Sequence, residues 1–178
     1  SVLAKSFVTL GLIPLIIVLY LSLIKADFNI YRKIFSLKNI VLLLIIILPW
    51  HILGVIKNPD FFREYIVNQQ ILRFFNMTTP HDYHNGNIFF YVPKIIGYIL
   101  PWSVFLLAVL KKPFSPLQAF CWSWFLVVFV FFSLAGDKGD YYCAIAMPPL
   151  ACLIAFKIND WIENNKTNIF NSIFGVFV

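Results

Sequence analysis

An all-α integral membrane protein is the fold class this sequence predicts. It should have about five transmembrane helices, room for a sixth that is cut short, and an interfacial amphipathic helix in the second loop. Three observations carry the prediction. Hydrophobic residues make up 61% of the 178 positions and charged residues only 12%, against about 45–50% and roughly 25% in soluble domains. Runs approaching 20 apolar residues recur, each long enough to cross about 30 Å of hydrocarbon. No stretch alternates polar and apolar residues as a membrane β-barrel strand must.

Taken in order, the spans are Ser6–Ile24, Asn39–Ile56, Ile88–Leu110, Pro116–Ala135 and a shorter Tyr141–Phe156, and a sixth starts near Ile169. Pro14, Pro49, Pro93, Pro101 and the Pro148–Pro149 pair fall inside them. Membrane helices accept such prolines because neighbouring helices re-satisfy the freed carbonyls. The chain begins almost inside one apolar run and stops inside another, "NIFNSIFGVFV", so a segment of a longer protein is expected. No basic n-region of a signal peptide is seen at its start.

Loop charge sets the orientation. The first loop, "KADFNIYRKIFSLK", and the third, "KKPFS", are basic. The second balances Lys57, Arg63 and Arg73 against Asp60, Glu64 and Asp82, and the fourth, "GDKGD", is net acidic. Basic loops stay in the cytoplasm. Loops two and four and the chain start with Lys5 then face outward, which in a bacterium means the periplasm. The net charge of +6 is explained by those loops and does not imply nucleic acid. Cys121, Cys143 and Cys152 form no CxxC pair, and read as small buried hydrophobes.

The outer loop, residues 57–87, is too long for a simple connector. In "NPDFFREYIVNQQILRFF" the residues Phe61, Phe62, Tyr65, Ile66, Ile71, Leu72 and Phe75 make a broad apolar arc, with Arg63, Glu64, Asn68 and Arg73 mostly off it. Asn58–Pro59 suits a helix start. A helix lying in the membrane interface fits. "NMTTPHDYHNGN" follows, rich in turn formers. Its His81 and His84 would share a metal only in a helix, which the Gly and Asn content disfavours. A divalent metal therefore has no clear ligand set, and cofactors stay open. Polar residues within spans are few: Lys94 is near enough to the outer face to snorkel, and His51 reads as a hydrogen-bonded packing residue or a functional one. Lys5, Arg63, Arg73, His81, His84, Lys94 and Lys138 all map to the outer side. Cations gathered beside a greasy groove suit a phosphate headgroup with a lipid tail.

Four stretches, in order, carry a family resemblance. "HNGNIFFYVPKIIGYILPWS" (84–103) resembles the His-x-x-Pro-aromatic-Tyr-Tyr-x-Pro…Gly-x-x-Pro-Trp-Ser signature of membrane glycosyltransferases of the aminoarabinose lipid A transferase type. These are relatives of the protein O-mannosyltransferases in the GT-C clan. "FFSLAGDKGDYYCAIAMPPLACLIA" (131–155) is similar to that family's Phe-Phe-Ser-x-x-x-x-Lys…Tyr…Pro-x-x-Pro stretch. "LAKSFVTLGLIPLIIVL" (3–19) resembles its Lys-Gly span, and "NQQILRFF" (68–75) its Glu-His-x-x-Arg-Phe element.

The resemblance implies a partial chain of an enzyme that moves a sugar from a polyprenyl-phosphate donor to an acceptor at the outer face of the inner membrane. The acceptor stays open among lipid A, protein and another glycan. By position, Lys5, Arg73, Lys138 and Tyr142 would hold the donor phosphate and His84 would line the same cavity. The partners implied are membrane lipid, the lipid-linked sugar and a missing N-terminal half. Several positions depart from the pattern. Ser6 stands for glycine, Gln69–Gln70 for Glu-His, and Asn87 for the proline before the aromatics. The family's acidic catalytic motif lies in the N-terminal half, and none of Asp82, Asp137 and Asp140 matches it. The catalytic residue is therefore unassigned and this chain alone is expected to be inactive. The alternatives are a catalytically dead or lipid-binding remnant and, behind it, a transporter component. A transporter would need paired deep charges or an inverted repeat, and neither is found.

Overall fold

The computed structural model describes residues 8–72, 74–75, 77, 86–109, 115–136 and 138–164. The described residues are helical wherever they are regular, without a strand. Seven α-helices are α1 (Val8–Leu23), α2 (Phe28–Ile34), α3 (Leu37–Lys57), α4 (Tyr91–Tyr98), α5 (Leu106–Val109), α6 (Pro116–Leu134) and α7 (Cys143–Glu163). A π-helix covers Phe62–Leu72, and 3-10 turns cover Trp102–Phe105 and Asp140–Tyr142.

Three helical stretches are long and apolar enough to cross a membrane: Phe28–Lys57, Pro116–Leu134 and Asp140–Glu163. Four of the five expected spans have their helix within a few residues. The helix α1 is short for a crossing, while α7 runs on to Glu163, past the expected end at Phe156. The expected span over Ile88–Leu110 is different. It breaks into Tyr91–Tyr98 and Trp102–Val109, bent by 112°. Pro101 sits at the break, where it has no N–H to continue the ladder and its ring blocks the preceding turn. Hydropathy sees only the sum of the two halves. A sixth span near Ile169 lies outside the described residues.

The first loop contains a helix that the charge reading passed over. Asp27 opens α2, its Oδ1 accepting from the Asn29 N–H at 3.1 Å, while Arg32 and Lys33 fall in the last turn. Acid first and base last is the order that the helix dipole favours. A fuller device starts α6. The Ser115 Oγ accepts from Gln118 N–H at 3.2 Å and Gln118 Oε1 accepts from Ser115 N–H at 2.8 Å, with Pro116 at the first helical position. Such a box is worth about 1 kcal/mol.

Helices α6 and α7 are the centre of the bundle. Small buried residues on α6, Ala119, Cys121 and Ser123, let neighbours approach closely. The Ser123 hydroxyl is satisfied by the Ala119 carbonyl at 2.8 Å. Helix α1 docks here, Tyr20 meeting Phe120 edge-on at 5.8 Å. Val128 and Phe132 of α6 and Ala146, Leu150 and Leu153 of α7 join one buried cluster. Phe105, after the bend, is 1% exposed, and its ring lies 5.5 Å from that of Trp161 on α7. By contrast α3 leaves Leu42, Ile45, Ile46 and Trp50 exposed, an apolar face suited to hydrocarbon. Of the cysteines, Cys121 and Cys143 are buried as expected, but Cys152 is exposed.

The second loop's helix exists but is a π-helix, not the expected α-helix. Hydrogen bonds from i to i+5 widen the turn, so the arc drawn at α-spacing is not one face. Phe62, Ile71 and Phe75 are exposed while Asn68 is buried. Asn68 donates to both oxygens of Glu64, at 3.0 and 3.1 Å. His51 of α3 is 6% exposed, with Nδ1 2.9 Å from the Ile47 carbonyl. Its ring lies beside Phe61 and Tyr65, which stack at 4.9 Å. The packing reading of His51 therefore fits what its Nδ1 and ring contact.

Candidate functional site

The residues between α6 and α7 concentrate the polar chemistry. Helix α6 ends at Leu134, and the chain turns through Ala135 and Gly136. Lys138 then folds back over the end of α6. Its Nζ donates to the carbonyls of Phe132 at 3.1 Å and Ser133 at 2.5 Å. Those carbonyls belong to the last turn, where intrahelical donors run out and the dipole is negative. The side chain is 3% exposed. Its ammonium also lies 5.7 Å from the centre of the Tyr91 ring, within cation–π range. Burial pushes the Lys138 pKa below the ordinary lysine range, because losing water penalises the charged form. The two carbonyls account for two of its three N–H donors.

Tyr142 shares the same platform. Its ring stacks on Phe132 at 4.1 Å and 14°, and Tyr141 donates to its hydroxyl at 3.3 Å. Phe132 thus holds two of the four residues expected to bind the phosphate, Lys138 by its carbonyl and Tyr142 by its ring. Other elements converge on this loop. The Gly136 N–H donates to the Phe74 carbonyl at 2.7 Å, and the Phe74 ring meets Phe131 at 5.3 Å. The chain on the far side of the π-helix is thereby tied to the α6–α7 loop. From α4, the Tyr91 hydroxyl donates to the Gly139 carbonyl at 3.3 Å, and Lys94 pairs with Asp140 at 2.5 Å.

The end of the "HDYHNGN" segment is here too. A Cβ on Gly86 would stand 2.7 Å from the Phe90 ring and 3.0 Å from Lys138 Cγ, so only glycine lets the backbone lie this close. Asn87, where the resembled pattern has proline, has a local reason. Its Oδ1 accepts from the Phe89 N–H at 3.0 Å and its carbonyl from the Phe90 N–H at 3.0 Å, turning the chain into α4. Gly86→Ala is expected to push the Phe90 ring and the Lys138 stem apart. In the full-length chain, amide hydrogen exchange of residues 138–142 should speed up severalfold. Unchanged exchange would separate Gly86 from this loop.

Of the predicted site residues, Lys138 and Tyr142 are brought together. Lys5, Arg73 and His84 lie outside the described residues, as do His81, Asp82 and Asp137, and so do the side chains of Gln69 and Gln70. Among the described residues no three His, Cys, Asp or Glu assemble as metal ligands. Tyr91, Phe132, Phe90 and Gly86 were missed as site residues. All four sit inside quoted motifs, but nothing in the spacing tells a packing aromatic from one that faces a lysine. A separate cleft of about 480 Å³ is lined by Asn58, Asp60, Arg63, Glu64, Val67, Asn68 and Leu72, from the π-helix and the residues leading into it.

A helical membrane domain in which Lys94, Lys138, Tyr91 and Tyr142 meet at one inter-helix loop is the class this arrangement defines. No family model matches the chain. Curated relatives do: undecaprenyl phosphate-alpha-4-amino-4-deoxy-L-arabinose arabinosyl transferase 1 of Pseudomonas fluorescens is 27% identical over 99% of this chain and 31% of its own length. The corresponding transferase of Serratia proteamaculans is 28% identical over 77% of this chain and 26% of its own. An uncharacterized protein of Aquifex aeolicus is 30% identical over 89% and 36%. Among solved structures, ArnT from Cupriavidus metallidurans bound to undecaprenyl phosphate superimposes with a TM-score of 0.73. It is 26% identical over 89% of this chain and 28% of that one. The apo form gives 0.70. In sequence and in fold the chain is similar to part of these aminoarabinose transferases. It spans about a quarter to a third of the length of these transferases.

Proposed function

We propose that the chain is part of an enzyme transferring a sugar from a polyprenyl-phosphate donor to an acceptor at the outer face of the bacterial inner membrane. The lipid-phosphate end of the donor would bind at the α6–α7 loop. The observation that carries this reading is the likeness, at a TM-score of 0.73, to a protein solved with undecaprenyl phosphate, together with the buried Lys138 at the corresponding motif. Cleaving a sugar–phosphate bond leaves charge on the phosphate oxygens. Donors already held in a dry site stabilise that charge without reorganising. Lys138 would supply an ammonium and Tyr142 a hydroxyl, and Lys5, Arg73 and His84 would complete the cradle by motif position. Residues 1–178 form one partial transmembrane domain in this reading, and 57–87 an outer, periplasmic loop whose π-helix lies at the membrane interface.

The test uses the full-length native chain in nanodiscs with a radiolabelled polyprenyl-phosphate sugar. Transfer to acceptors extracted from the same bacterium is the expected result. Binding of undecaprenyl phosphate without any transfer would replace the enzyme by the lipid-binding remnant. Neither binding nor transfer would sink both.

A further inference from the structure

Lys94 reads in the sequence as one more cation at the outer end of the bundle, but its contacts give it another task. Its Nζ is 2.5 Å from Asp140 Oδ1, 46 residues further along the chain, and 4.5 Å from the centre of the Phe90 ring. One turn earlier, Tyr91 holds the Gly139 carbonyl with its hydroxyl and faces the Lys138 ammonium with its ring. Phe90 walls the same place, where Gly86 backs against Lys138. Three consecutive loop residues, Lys138, Gly139 and Asp140, are therefore each met by a side chain from the first turn of α4.

We propose that this turn is a clamp that sets the position of Lys138 and Tyr142, and that Lys94 is a positioning residue whose partner is Asp140 and not a ligand of the phosphate. The role assigned to Lys138 and Tyr142 rests on the proposed function; the clamp itself does not. Two physical effects follow from the pair. It fixes the first residue of the turn that ends in Tyr142. It also neutralises a carboxylate, half-exposed at 55%, that would otherwise repel an anionic ligand beside Lys138. Misplacing a binding group by about 1 Å costs up to roughly a hundredfold in rate, so a clamp on this loop has functional weight.

The experiment uses the full-length native chain in nanodiscs and four variants: Lys94→Met, Lys94→Arg, Lys94→Asp, and Lys94→Asp combined with Asp140→Lys. Amide hydrogen exchange of residues 138–142 and affinity for undecaprenyl phosphate are both read. Lys94→Met and Lys94→Asp are expected to speed exchange in the loop and weaken affinity roughly tenfold. The arginine variant and the charge swap should restore both. If the swap restores loop exchange but not affinity, Lys94 touches the phosphate directly and the proposal is overturned. Unchanged loop exchange in Lys94→Met also overturns it, whatever the ligand does. Should the wild type bind no undecaprenyl phosphate, the functional reading fails, and loop exchange still decides the clamp.

Discussion

Lys138→Met in the full-length chain is expected to lower sugar transfer by about 10²–10³-fold, the usual effect of removing one fixed donor from a developing anion. Methionine keeps the unbranched stem that packs beneath Gly86, so the loss reports the ammonium and not the packing. Stability should respond with the opposite sign in its pH dependence. Burial depresses the Lys138 pKa below its ordinary value of 10.5, so the folded state gives up this proton before the unfolded state does. Below the depressed pKa both states are protonated and the full cost of burying the charge is present. As pH rises from there towards 10.5 that cost is relieved and stability increases. Over the same rise the ammonium needed for phosphate disappears, so binding falls. Thermal midpoints in detergent across the alkaline range check the first half, and lipid titrations the second. The methionine variant should show neither slope. A wild-type midpoint that falls through this window along with binding would contradict the assignment.

Phe105→Ala should give the largest loss of stability, about 3 kcal/mol. The ring is 1% exposed and lies between Trp102, at 6.2 Å, and Trp161, at 5.5 Å. Lipid is as apolar as phenylalanine, so transfer from water contributes little between packed helices. What is lost is the dispersion contact of a filled site and the closure of the cavity it leaves. Phe105 is also the anchor that returns the chain to α7 after the 112° bend, so its removal should loosen the broken span. The thermal midpoint of the purified full-length chain and the emission maximum of Trp161 are the measurements. A midpoint within error of wild type would mean that the Trp102–Phe105 turn does not pack on α7 in the membrane.

The clearest elements in the sequence were those whose apolar run matches one straight helix. Leu37–Lys57 and Pro116–Leu134 fall almost where composition put them, because a span needs only length and apolarity and the bilayer does the rest. The Ser115–Gln118 cap of α6 went unread, although its partners are only three residues apart. The bend at Pro101 was not legible, since hydropathy adds up residues without direction. Nor was the π-helix, because an arc drawn at 100° per residue presupposes the helix type.

Within the candidate site, Lys138 and Tyr142 could be picked out by motif and by the outward clustering of charge. That Lys138 is buried and faces Tyr91 could not. Those facts depend on α4 meeting the α6–α7 loop, a contact between residues 46 to 48 positions apart. Lys94 makes the same point: the sequence shows a cation near a membrane face, and only the fold shows Asp140 beside it. Composition and local pattern determine membrane residence, helicity and where caps fall, since each depends on neighbours within a turn or on the solvent. Which charges remain available to a ligand is settled by packing, because a charge is neutralised or exposed by whatever the fold brings within about 4 Å of it.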